Sequence, residues 1–349
     1  MAGPVDDGFY MPAEWAPHAR TWMAWPTREA LWGEHLDAAR EAYAEVARAI
    51  ARFEPVTMIA NPVAVAEASI KCGAGVGTMP MDHDDSWLRD SGPTFLVDGK
   101  GGLAGVDWVF NAWGERYRPY AHDARVAAEI LARGEVRRYA CDLVTEGGAI
   151  HVDGEGTLLA VRPTLLNDNR NPGRSVAEIE RLLCSHTGAS KIIWLPEGLV
   201  DDETDGHVDN VACFIGPARV LVQTTDDPDD ANYERLQANR ELLQAETDAR
   251  GRPLEVVEVR QPKARYQEDG TRLGLSYVNF YFANGGVVLP SFDDPADDRA
   301  FDLFEELFPD RKIVQVPALD ILHGGGGIHC ITQQQPAVEA PAADKDDVH

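Results

Sequence analysis

An α/β fold of five similar units, arranged as a propeller-like barrel in one domain, is the architecture this sequence predicts. Three observations predict it. Five amphipathic helix-like segments recur along the chain, a short apolar strand candidate follows each, and a hairpin-like pair of apolar runs follows the next loop. A chain of 349 residues could hold one large core or two ordinary ones, and length alone favours two. The repeat argues instead for a single domain over residues 1–335.

The helix-like segments are Glu34 to Phe53, His122 to Arg133, Arg174 to His186, Ala231 to Arg250 and Pro295 to Phe308. In the last of them Phe301, Leu303, Phe304 and Leu307 keep helical spacing beneath acidic neighbours. The strand candidates after them are PVTMIA, VRRYA, KIIWLP, LEVVEV and KIVQVP. Four hairpins read as GPTFLVDGKGGLAGV, GGAIHVDGEGTLLAV, HVDNVACFIGPARVLVQ and SYVNFYFANGGVVLP, each with an Asp-Gly, Gly-Pro or Asn-Gly turn between its runs. The fifth, GGGGIHCITQQQ, supplies one strand only. Its expected partner is the N-terminal TWMAWP, which would close a ring. Residues 336–349 are small, acidic and proline-containing, and read as a disordered tail.

Composition is that of a soluble globular protein, 44% hydrophobic and 26% charged. A net charge of −26 argues against nucleic acid or an anionic membrane as partner and favours the approach of a cation. The five cysteines, Cys72, Cys141, Cys184, Cys213 and Cys330, are scattered without CxxC spacing, so neither a zinc knuckle nor a disulfide framework is expected. The N-terminal stretch has no basic and apolar signal pattern, and no apolar run reaches the ~18 residues of a membrane span. Cytoplasm is the expected location.

The loops that lead into the hairpins carry the chemistry. The first, DHDDSWLRDSGP, holds Asp84, Asp85, Trp87, Arg89 and Asp90; the second, TEGG, holds Glu146. The third, DDETDGHVDN, holds Glu203, Asp205, His207, Asp209 and Asn210. The fourth is SYVNF and the fifth HGGGGIHC, with Cys330 after the glycine run Gly324 to Gly327. A ring would bring a thiol, an imidazole and several carboxylates together, as a covalent hydrolase requires. Read alone, Cys330 could equally be a buried cysteine on a strand. On a strand, His207 and Asp209 would share a face. His329 would face away from Cys330, and is expected to be structural. The second HVD string, His151 and Asp153, falls within a hairpin and its turn and is also read as structural.

Carboxylates match a guanidinium in a bidentate geometry, so Asp90, Glu146 and Asp209 point to a planar cationic substrate. Trp87 could pack on that cation or on its methylenes, or simply belong to the core. Arg89, beside Asp90, is expected to pair internally.

Taken in order, WMAWP, DDSWLRDSGP, EGG, GHVDN, SYVNFY and GGGGIHCITQQ resemble the agmatine deiminases, of the guanidino-group-modifying superfamily, from about Met11 to Gln335. The resemblance implies a fivefold pseudosymmetric α/β propeller, with Cys330 as nucleophile and His207 as general acid/base. It implies Asp90, Glu146 and Asp209 as guanidinium-binding carboxylates, and matches Glu203 to an acid that assists the substrate's far amine. It further implies an amidino-cysteine intermediate, no cofactor or metal, and a homodimer. Gly327 stands where some relatives carry Asn. The alternatives are a deiminase of free or peptidyl arginine, a metallohydrolase using His207, Asp209, His151 and Asp153, and a non-catalytic guanidine-binding protein.

Overall fold

The computed structural model describes residues 3–338 and shows a mixed α/β domain containing five small sheets. The predicted helices are observed at Leu36–Ile50, Asp123–Arg133, Val176–Thr187, Tyr233–Ala245 and Ala296–Leu307. Their sequences explain them. Leu36–Ile50 is alanine-rich, and it buries Ala39, Ala42, Tyr43, Val46, Ala47 and Ile50 along one stripe. Val176–Thr187 begins in a capping box, with Ser175 and Glu178 each satisfying the other's backbone N–H, and ends at Gly188 in the left-handed region.

Four sheets share one three-stranded plan. An antiparallel hairpin comes first. The helix then crosses over and returns a strand parallel to the hairpin's second strand, which thus lies in the middle. In the third and fourth of these sheets the same order joins Ala212–Gly216 to Arg219–Thr224 and Glu255–Arg260, then Tyr281–Ala283 to Gly286–Ser291 and Lys312–Pro317. One two-residue hairpin turns at Asn284–Gly285, where Gly285 takes a φ of +70° that glycine adopts without strain.

The fifth sheet follows the plan with its first strand taken from the other end of the chain. His18–Ala24 pairs antiparallel with Thr332–Pro336, Thr21 opposite Gln334, and parallel with Val56–Ala60. The expected partnership of the N-terminal and C-terminal segments is therefore present.

Two expectations need correction. The first unit holds a helix, Val65–Cys72, and a fourth strand, Val76–Pro80, that the repeat did not anticipate. The predicted tail also starts too early. Pro336 is buried at the end of the last strand, and Ala337 donates to the Pro17 carbonyl at 2.7 Å. Residues 339–349 of that tail lie outside the described residues. Among the described residues, no helix is long and apolar enough to cross a membrane.

In every unit a short turn precedes the first strand of the hairpin. These turns include Leu88–Ser91, Gly147–Ala149 and Val208–Asn210, and they carry the functional side chains.

Candidate active site

Cys330 sits in the turn before the last strand, not on a strand, and is buried. Its Sγ lies 3.4 Å from Asp209 Oδ2 and accepts a hydrogen bond from Asn279 Nδ2 at 3.2 Å. Asp209 and His207 belong to a 3-10 turn instead of one strand face, yet they still converge. A Cβ on Gly148 would stand 2.5 Å from His207 Nδ1, 2.9 Å from Asp209 Oδ2 and 3.0 Å from Asp90 Oδ1. The second loop needs glycine there because three functional side chains close on its backbone.

The imidazole of His207 lies among carboxylates. Its Nε2 faces Glu146 Oε2 at 3.5 Å, and its Nδ1 is 3.8 Å from Asp90 Oδ1. Burial opposes the charged ring, but Asp90, Glu146 and Asp209 outweigh burial and raise His207 to about 9. It is an imidazolium at neutral pH.

The three carboxylates are held differently. Burial disfavours the charge of Glu146, but Arg170, whose Nε donates to Oε1 at 2.7 Å, keeps its pKa below the usual range. Asp209 is buried too, and a 2.9 Å hydrogen bond from His329 holds it low. Asp90 has neutral donors, Gly148 N and Trp113 Nε1, each at 2.9 Å. Burial, offset in part by His207, raises Asp90 to about 6. Glu146 Oε2, His207 Nε2 and Asp209 Oδ1 are buried without a protein hydrogen-bond partner. Of these, Glu146 Oε2 and His207 Nε2 face each other, while Asp209 Oδ1 remains available to a ligand.

Above this cluster lies a narrow pocket lined by Trp87, Asp90, Trp113, Tyr117, Glu203, Asn210 and Cys330, with Gly324 to Gly326 along one edge. Trp87 stands between pocket and core. It lines the pocket while stacking on Trp32, with ring centroids 5.8 Å apart. Glu203 accepts from Tyr117 OH at 2.5 Å. Burial pushes the Cys330 thiol well up, and the Asp209 and Asp90 carboxylates push it further.

Other predicted residues fall outside the cluster. Asp85 pairs with Arg28, Asp84 accepts from His122 N, and Asp205 accepts from Arg170. Arg89 pairs internally with Glu14, as expected. Asp153 folds back on its own turn to accept from Glu155 N and Thr157 N, while His151 turns toward Glu14 and Phe214 N. Among the described residues no group of three or more His, Cys, Asp or Glu is arranged to hold a metal ion.

His329 departs from the reading made of it. In a turn, successive side chains need not oppose each other, and His329 reaches Asp209 directly. Asn279, Trp113, Tyr117, Arg170 and Glu14 were not singled out. Asn279 alone had a signal, its place in the SYVNF slot of the fourth unit.

The Asn279 bond supports a first prediction. A hydrogen bond to a charged group is worth about 1.5–3 kcal/mol, so Asn279→Ala should slow alkylation of Cys330 by iodoacetamide roughly 10–100-fold. Peptide mass spectrometry reads the rate at that cysteine; an unchanged rate would show the bond to be idle.

The sequence matches the family described as Porphyromonas-type peptidyl-arginine deiminase over residues 10–336. It is 48% identical to the agmatine deiminase of Pseudomonas aeruginosa (strain LESB58), covering 96% of this chain and 97% of that one. To the agmatine deiminase of Stutzerimonas stutzeri (strain A1501) it is 47% identical, again over 96% and 97%. The solved agmatine deiminase of Enterococcus faecalis superposes with a TM-score of 0.93 at 37% identity, over 97% of this chain and 98% of that one.

Proposed function

The chain belongs to the Porphyromonas-type peptidyl-arginine deiminase family, and from that premise we propose that it hydrolyses agmatine to N-carbamoylputrescine and ammonia. The observation that carries this reading is the convergence of one thiol, one imidazole and three carboxylates beside a pocket that also holds Glu203.

A guanidinium presents N–H donors in a flat fork, which carboxylate oxygens accept in pairs. Asp90, Glu146 and Asp209 bind it, Asp209 through the oxygen that lacks a protein partner. Glu203 receives the far amine, and Trp87 and Trp113 pack along the methylenes. The free enzyme holds Cys330 as a thiol. The arriving cation offsets the two carboxylates that keep the thiol protonated and so favours the thiolate, the thiol proton leaving to solvent water.

The Sγ–C bond then forms at the central guanidinium carbon, and the leaving nitrogen takes a proton from His207 as the C–N bond breaks. Ammonia departs, leaving an amidino-cysteine. Neutral His207 next takes a proton from water, whose oxygen attacks the same carbon. The C–S bond breaks as the adduct's O–H proton passes to the departing sulfur, so the ureido product leaves and the thiol is restored. Water is the only co-reactant this balance needs. The fixed carboxylates supply orientation and hold the positive charge throughout.

The amine of agmatine suits Glu203, whereas arginine would set a carboxylate near that acid. The expected result is a kcat/KM for agmatine at least ~10²-fold above that for arginine. Equal or better turnover of arginine would overturn the choice of substrate. Full activity after exhaustive chelation is expected as well, and loss restored by a metal would favour the metallohydrolase.

The shared strand order and the pairing of the first with the last strand support one pseudo-fivefold propeller that runs through Pro336. The net charge of −26 supports an enzyme that binds neither nucleic acid nor an anionic membrane, and a cytoplasmic location remains our reading. Symmetric pairing is the commonest assembly of soluble enzymes, which supports a homodimer.

A further inference from the structure

Asp209 is gripped from behind. Its Oδ2 accepts from His329 Nδ1 at 2.9 Å and lies 3.4 Å from Cys330 Sγ, while Oδ1 has no protein partner. The other nitrogen of His329, Nε2, lies 2.9 and 3.1 Å from the two oxygens of Glu14. Both ring nitrogens therefore face carboxylate oxygens, and only an imidazolium donates from both. Glu14 arrives from the N-terminal segment, 315 residues away in sequence. It also meets Arg89 Nη1 at 3.3 Å and His151 Nε2 at 3.5 Å. All five side chains are buried.

We infer that Glu14 and His329 form a positioning pair that fixes one oxygen of Asp209 so that the other meets the guanidinium. The inference rests on the proposed role of Asp209 in substrate binding. The terminal torsion of an aspartate is broad, so an unheld carboxylate would turn freely between thiol and pocket. His329 stops that rotation by occupying Oδ2. Glu14 in turn keeps His329 charged: burial and Arg89 oppose the charge, and Glu14 and Asp209 restore it. Neither residue touches the reacting atoms.

The test compares wild type with His329→Ala, His329→Asn and Glu14→Gln, using ammonia release from agmatine and thermal melting. Losing a residue that orients a ligand typically costs 10–100-fold, and His329→Ala should lower kcat/KM by roughly that much, mostly through KM. The asparagine amide still donates to Asp209, so His329→Asn should recover at least tenfold of the loss. Glu14→Gln keeps the shape but removes the charge. His329 then loses its proton at lower pH, and a second alkaline fall in kcat/KM, below the limb that His207 sets, should appear.

The inference fails if His329→Ala stays within about threefold of wild type, or if asparagine is no better than alanine. A Glu14→Gln profile that overlays wild type overturns it too, and decides the matter if the His329 variants do not fold. Wild type inactive on agmatine would overturn the functional reading and this inference together. An active wild type with an indifferent His329 overturns the inference alone.

Discussion

Cys330→Ser is expected to reduce ammonia release from agmatine by a factor on the order of 10⁴–10⁶, the usual cost of removing a covalent nucleophile. Serine fits where cysteine stood, so the fold and the carboxylate cluster should survive. The loss is chemical. A hydroxyl is far harder to ionise than a thiol, and the carboxylates that raise the thiol pKa oppose an alkoxide even more strongly. Agmatine should still bind, because its grip comes from Asp90, Glu146, Asp209 and Glu203. Calorimetry should find a Kd within about tenfold of the wild-type KM. Retained turnover in the serine variant would remove the amidino-cysteine from the mechanism. If the wild type released no ammonia either, the guanidine-binding reading would gain.

The second large effect belongs to His207, which serves both halves of the reaction. His207→Gln should cost roughly 10²–10⁴-fold in kcat/KM, the range for a positioned acid/base. The pH profile separates its role from mere packing. Asp90 is raised to about 6, so below that pH it takes up a proton and no longer opposes the substrate cation. His207 is raised to about 9, so above that pH it lacks the proton that ammonia needs. Wild-type kcat/KM should therefore rise through about 6 and fall through about 9. The alkaline fall should vanish in His207→Gln. A profile with the same alkaline limb in the variant would assign that limb to another group.

Much of the cluster was legible in the sequence because the chemistry is strung along repeated slots. Asp90, Glu146, His207, Asp209 and Cys330 each precede a hairpin strand, and hairpins with Asp-Gly or Asn-Gly turns can be read locally. The partners that tune them could not be read this way. Glu14, Trp113, Tyr117 and Arg170 carry no motif and reach the site only through tertiary packing. His329 was misjudged for a geometric reason: alternation of faces holds on a strand, and the Ile328–Ile331 segment is a turn. The helix Val65–Cys72 was passed over because only two of its residues, Ala68 and Cys72, are buried, which leaves little periodicity to detect.

The pairing of His18–Ala24 with Thr332–Pro336 also orders events during synthesis. The first strand leaves the ribosome and waits, one edge bare, for a neighbour made long after it. Contacts this distant in sequence slow folding, since the whole intervening chain must be drawn into place. Cys330 lies just ahead of that late strand. A nascent chain thus carries its carboxylates and imidazole long before its nucleophile. Catalytic competence and completion of the fifth sheet arrive in a single step, with translation itself as the timer.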